Sequence, residues 1–300
     1  MSLARLNVMY GHLEGTETKF ARDPSGYLSL EKGIYQKHGL DVSWSHVQGT
    51  EERYRRLESG EADISFVVGR ASLQHFLATL STRLLGCAMN SCSYYLVADA
   101  AFKTVADLQG KTIACREGPS RGVPFGRIFQ ECAGLTLEKD LSLRFPDSDQ
   151  EAFHLLMDRQ VQAALLPRPY GFMAEEKGFG RIVDWPNLVD DPLPISIETT
   201  LALARERGDD LRAFVEAHRE GVRYLKAHRD EAKRILSEKF GHSERLANKI
   251  AEDYLICMDE SLAVEFKSLE QLVSQVALDT PGGARQVAAE WILPGALKNS

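Results

Sequence analysis

Short apolar runs alternate along this chain with stretches whose apolar residues recur at helical spacing, which predicts strands and helices in turn. Leu6–Tyr10 reads as the first strand. Tyr27–His38 is a predicted helix with Ser25 as its cap, and it stops at Gly39. Leu40–Val47 then alternates as a strand. Thr50 is a predicted N-cap, the helix continues through Arg53–Ser59, and Gly60 ends it. Ala62–Val68 follows as a continuous apolar strand of the kind covered on both faces. This βαβαβ order predicts a parallel sheet with helices packed on it. Gly69–Leu80 reads as a further helix, and Arg83–Ala88 and Tyr94–Ala98 as strands, the second leading out of the first lobe.

The pattern then repeats in kind. Val105–Ala114 reads as a short helix, a turn and a strand, and Val123–Ala133 as a helix after the loop Arg116–Gly122. Leu141–Phe145, Val161–Leu166 and Arg181–Trp185 are predicted strands, with helices at Asp149–Arg159 and within Pro167–Lys177. Pro186, Pro192 and Pro194 punctuate an extended return, and Ile197–Ala204 reads as a strand going back to the first lobe. The remainder is helical: Asp210–Ala227, Arg229–Phe240, Glu244–Met258, Ser268–Leu278 and Gly283–Trp291. The fold class expected is α/β in two lobes. Lobe 1 comprises residues 1–98 and 196–300, and lobe 2 the inserted residues 99–195. Two crossings, near Ala98–Ala101 and Leu193–Glu198, would form a hinge about which the lobes close.

Composition narrows the function classes. A chain of 300 residues with net charge −7 gives no reason to expect nucleic acid or an anionic membrane surface as partner. No apolar run is long enough to span a membrane. The first residues enter a strand at once, without the features of an export signal. The expected location is therefore periplasmic or extracellular if an export signal has been removed, and cytoplasmic if Met1 is the native start. The five cysteines, Cys87, Cys92, Cys115, Cys132 and Cys257, lack the spacing of a zinc site or redox pair. Buried inert thiols fit Cys87 and Cys115. No metal and no cofactor is expected: the histidines are scattered, and no phosphate loop, nucleophile elbow or dinucleotide fingerprint is present.

Three phrases resemble a known family. Gly33-Ile34-Tyr35-Gln36-Lys37-His38-Gly39-Leu40-Asp41-Val42, Leu57-Glu58-Ser59-Gly60-Glu61-Ala62-Asp63 and Asp107-Leu108-Gln109-Gly110-Lys111-Thr112-Ile113-Ala114 are similar to motifs of type 2 periplasmic-binding-protein-like domains. The branch indicated holds the nitrate, sulfonate and taurine binding proteins and the NMT1/THI5-like proteins. The resemblance implies a clamshell with its ligand between the lobes. It also implies a solute-binding protein serving an ABC-type importer, whose permease would be its partner.

Candidate site residues come from the loops where parallel strands end and helices begin, since free N–H groups and the helix dipole there favour anions. The loop after the first strand offers His12, Glu14 and Thr16; the turn before the second helix offers Gly49 and Thr50; the turn after the third strand offers Gly69 and Ser72. Asn90 lies in a polar stretch between two strands. In the inserted lobe, Ser120, Arg121 and Gly122 precede a helix, and Arg121 suits a carboxylate, sulfonate or phosphate. Pro167-Arg168-Pro169-Tyr170 matches a family site, with Arg168 suited to an anion and Tyr170 to stacking on a flat ligand. Each of these has a plainer reading as a cap, a solvated turn or core packing. The favoured function is capture of a small anionic or aromatic organic molecule such as a sulfonate, carboxylate or heterocycle. The alternative is a cytoplasmic decarboxylase or lyase on the same fold, with His12 and Glu14 as acid and base.

Overall fold

A computed structural model describes residues 3–11, 24–47, 49–89, 94–115, 122–184, 193–239, 241–276 and 283–296. In chain order the first elements are β1 (Ala4–Gly11), α1 (Pro24–Glu31), α2 (Ile34–Lys37), β2 (Leu40–Val47), α3 (Thr50–Glu58), β3 (Ile64–Val67), α4 (Gly69–Thr79) and β4 (Thr82–Met89). The single helix expected over Tyr27–His38 is two, because Gly33 adopts a left-handed φ of 65° between them. A residue with a Cβ would be strained there, so glycine itself breaks the helix. Ser25 lies inside α1 rather than capping it, and its carbonyl accepts from the Ser29 hydroxyl at 2.7 Å.

The middle of the chain holds β5 (Tyr94–Ala98), β6 (Thr112–Ala114), α5 (Gly122–Ala133), β7 (Ser142–Arg144), α6 (Asp149–Met157), β8 (Ala163–Pro167), α7 (Tyr170–Glu176) and β9 (Gly180–Asp184). Then come β10 (Ile195–Thr200), α8 (Leu201–Glu206), α9 (Gly208–Ala227), α10 (Arg229–Glu238), α11 (Glu244–Cys257), α12 (Phe266–Val276) and α13 (Gly283–Trp291). The strand expected over Ile197–Ala204 ends at Thr200, where the Thr200 hydroxyl accepts from the Leu203 N–H at 3.1 Å and starts α8.

Among the described residues the strands form two sheets of five with the same plan. One has the order β2-β1-β3-β10-β4, the other β7-β6-β8-β5-β9. In the first, β1 pairs parallel with β2 and β3, and β10 lies antiparallel between β3 and β4. In the second, β6 pairs parallel with β7 and β8, and β5 lies antiparallel between β8 and β9. The fourth strand of each sheet therefore arrives from the other sheet. Tyr94–Ala98, expected to close lobe 1, belongs instead to the second sheet. Its apolar residues are buried on both sides, so its sequence carries no sign of which sheet it joins. The crossings consequently run from Met89 to Tyr94 and from Asp184 to Ile195, slightly before the positions expected.

An aromatic cluster joins the first sheet to the helices on one face. Tyr10 stacks on Phe66 at 5.1 Å, Trp44 lies 5.2 Å from Phe66, and Phe214 of α9 stacks on Tyr35 at 5.6 Å. His218 is buried among them and bonds the Tyr35 hydroxyl at 3.0 Å. The last helices return to the first sheet, where Trp291 of α13 stacks on Phe76 of α4 at 6.0 Å. Among the described residues no helix is long and apolar enough to cross a membrane.

Candidate functional site

Both crossings leave from the same kind of edge. Ile195 at the start of β10 sits beside Met89 at the end of β4, and Ser196 pairs with Val67 at the end of β3. Tyr94 at the start of β5 pairs with Pro167 at the end of β8. The carboxyl ends of the parallel strands in both sheets thus point toward the connections between the sheets. Helix amino termini gather on the same edges: α3 at Thr50, α4 at Gly69, α5 at Gly122 and α7 at Tyr170. In open α/β sheets this crevice beyond the strand ends is where ligands bind.

The expected site residues distribute unevenly over this edge. Gly49 caps α3, and Gly49 and Thr50 are exposed at the strand ends. Thr50 is the first helical residue rather than the cap, which leaves its hydroxyl without the capping duty expected of it. Gly69 is buried, and its N–H donates to the Leu193 carbonyl at 3.1 Å. A Cβ at this position would lie 2.3 Å from that oxygen, so glycine lets the start of α4 press against the returning chain. Gly122 is the first residue of α5, one residue before the helix start expected at Val123. His12, Glu14, Thr16, Asn90, Ser120 and Arg121 lie outside the described residues.

Three residues have partners that the sequence did not suggest. Ser72, one turn into α4, is fully buried and donates to Glu198 of β10 instead of facing the edge. Glu198 is itself fully buried. Burial pushes its carboxyl up to about 7, against the opposing pull of Ser72, of Tyr54 and of the Arg53 charge. Tyr54, facing Glu198 from α3, is pushed well up in turn by burial and by that carboxylate. Its ring stacks on His75 at 3.6 Å, and His75 Nε2 lies 3.0 Å from Glu58.

Arg168 is 4% exposed, and its Nε lies 2.5 Å from Asp253 Oδ2 on α11. Its Nη2 donates to Cys257 Sγ at 3.3 Å and its guanidinium stands 4.3 Å over the Tyr254 ring. Burial works against the charge most strongly, but Asp253, Tyr254, Cys257 and Tyr95 together more than offset it, and the guanidinium is held well above its ordinary value. The anion expected for Arg168 is thus a carboxylate of the chain itself. Tyr170 is buried at the start of α7, with its ring 5.4 Å from Phe153. Its position is that of a core residue. Glu198 had a legible signal, a lone acid within a predicted strand; Asp253 had none, since acids are ordinary on an amphipathic helix.

Cys87, Cys115 and Cys257 are buried thiols outside any disulfide, and Cys132 is exposed. Cys92 lies outside the described residues. Among the described residues no group of histidine, cysteine and acidic side chains is placed to hold a metal ion.

Residues 25–232 match the family described as NMT1/THI5-like. The chain belongs to this family. Solved structures place the NMT1/THI5-like chain in the periplasmic-binding-protein fold. It superimposes with a TM-score of 0.75 on the aliphatic sulphonate binding protein SsuA from Escherichia coli, at 15% identity over 100% of this chain and 95% of that one. SsuA from Xanthomonas axonopodis pv. citri, bound to MOPS, gives a TM-score of 0.74 at 15% identity over 98% of this chain and 99% of that one. The nitrate-binding protein NrtA from Synechocystis PCC 6803 gives 0.74 at 12% identity over 97% and 86%. All three are periplasmic or sulfonate-binding proteins by description, and at these identities they establish the fold of the NMT1/THI5-like chain and not its ligand. A search of curated proteins finds no match.

Proposed function

We propose that this chain is a solute-binding protein that holds a small anionic or aromatic organic molecule in the crevice between its two sheets and presents it to an ABC-type importer. The observation that carries this reading is the exchange of β5 and β10 between sheets at the carboxyl edges of their parallel strands. Two lobes joined in this way can close on a molecule held at those edges. The sulfonate- and nitrate-binding proteins that share the fold support the ligand class, and the periplasmic location of the Escherichia coli and Synechocystis proteins supports an exported protein.

Gly49 and Thr50 line the first-sheet side of this crevice. On the other side, the acid group of the solute is held at the start of α5 by Ser120, Arg121 and the Gly122 N–H. The helix terminus supplies partial positive charge there, and Arg121 a full one. Arg168 is left out of this anion site because Asp253 occupies its guanidinium. Arg121→Ala is expected to weaken solute binding by roughly 1.5–3 kcal/mol, the range for a hydrogen bond to a charged group. Calorimetry giving equal affinity in the variant would remove Arg121 from the site.

The reading as a whole is tested by thermal melting against a panel of alkanesulfonates, carboxylates and aromatic heterocycles. A solute that binds the folded chain alone, at a hundred-fold above its dissociation constant, stabilises it by about 2.7 kcal/mol. Melting curves unmoved by the entire panel would contradict the small-acid reading.

A further inference from the structure

α10 and α11 form a helical hairpin whose two arms hold different sheets. α10 packs on α1 and α9 beside the first sheet, with Lys32 2.7 Å from Glu231 and Arg234 paired to Glu31. These side chains are about a third exposed, at 31% for Lys32 and 33% for Arg234. Beneath them Ala232, Ile235 and Leu236 are buried.

α11 instead packs on α7, beside the second sheet. Asp253 accepts from the Tyr95 hydroxyl of β5 at 2.8 Å and pairs with the buried Arg168 that follows β8. Lys249 lies 2.7 Å from Glu175 of α7, which also takes Arg181 of β9 at 2.6 Å. Arg181 in turn stands 4.2 Å over the Tyr95 ring. Just past α11 the chain touches the first sheet again, where the Cys87 N–H of β4 donates to the Leu262 carbonyl at 2.8 Å. The stretch from Asp253 to Leu262 therefore reaches from Tyr95, just after the first crossing, to Cys87, just before it.

We propose that the α10–α11 hairpin is a further connection between the two lobes, that α11 belongs to the rigid unit of the second sheet, and that Asp253 is the positioning residue that fixes it there. Separating Arg168 from Asp253 strands a charge in the interior, which is strongly unfavourable. The pairs on α10 are partly solvated and contribute little. Its apolar face on α1 is non-directional, and packed helices of this kind accommodate small sliding movements. Relative movement of the lobes is therefore taken up at the α10–α1 face, while α11 travels with β5, β8 and α7. The inference stands on these contacts whatever solute the crevice takes, and its test contains no solute, so its failure is separate from failure of the solute-binding reading.

The test is native-state hydrogen exchange on the full chain at rising low urea. Amides of α11 are expected to share one opening free energy with those of β5 and β8, distinct from that of α1. Asp253→Asn, which keeps the side-chain shape and removes the charge, is expected to speed exchange at least ten-fold in α11, β5 and α7 together, with β1 and β3 unchanged. If α11 opens with α1, or if the whole chain opens as one unit, the inference is overturned. It is equally overturned if the folded Asp253→Asn chain exchanges like the parent. Should that variant not fold, the grouping of amides in the parent chain alone decides.

Discussion

Burial of Glu198 among α3, α4 and the strands beside β10 sets how the stability of this chain responds to pH. Its carboxyl is raised in the folded state from 4.5 to about 7. Below 4.5 the group is neutral in both folded and unfolded chains, and its contribution is fully present. Between those values the unfolded chain releases the proton while the folded chain retains it, so stability falls as pH rises through about 7. The loss is on the order of 3 kcal/mol, since each pKa unit corresponds to about 1.4 kcal/mol. Glu198→Gln keeps the shape and removes the titration. It is expected to be more stable than the parent in urea denaturation at pH 8, and to show a smaller decline between pH 5 and pH 8. An unchanged decline would mean that another group dominates. At this scale the sequence was partly legible. A single acid among Ile195–Ala204 stands out, whereas the pairing of Arg168 with Asp253 depends on residues far apart in the chain and leaves no local trace.

Elements were read well where a run had one period and one end signal. β2 spans Leu40–Val47 as expected, and α6 begins at Asp149 with Ser148 accepting from the Glu151 N–H at 3.0 Å. They were misread where a residue that suits a strand serves as a stop. Thr200 follows the β-branched Thr199 at the end of β10 and precedes Leu201, yet its hydroxyl caps α8. A β-branched residue suits a strand interior and a helix cap alike, and only the backbone turn decides between them. Thr200→Ala is expected to cost about 1 kcal/mol through loss of that cap, read as a lower urea midpoint with unchanged slope. No loss would show that β10 alone holds the junction. The Gly33 break within the expected helix has the same character. Glycine within a helical pattern signals either a tolerated residue or an end, and its φ of 65° makes it an end here.

At the scale of the molecule, the repeated βα order made the two sheets legible, and the family phrases pointed to the same architecture. The pattern conveyed the exchange of strands only in part: the return of β10 to the first lobe was expected and is found, whereas the pairing of β5 within the second sheet was not expected. β5 is apolar on both faces, so it would satisfy either sheet, and its pairing is settled by contacts across the whole fold. That exchange places both crossings at the carboxyl edges of the parallel strands, and the account of function rests on it. Small-angle X-ray scattering tests it most directly, with and without the solute that stabilises the chain most strongly in the melting panel. Closure of two lobes on a solute held between them predicts a smaller radius of gyration and a shorter maximum dimension on binding. A stabilising solute that leaves the scattering profile unchanged would contradict capture by closure.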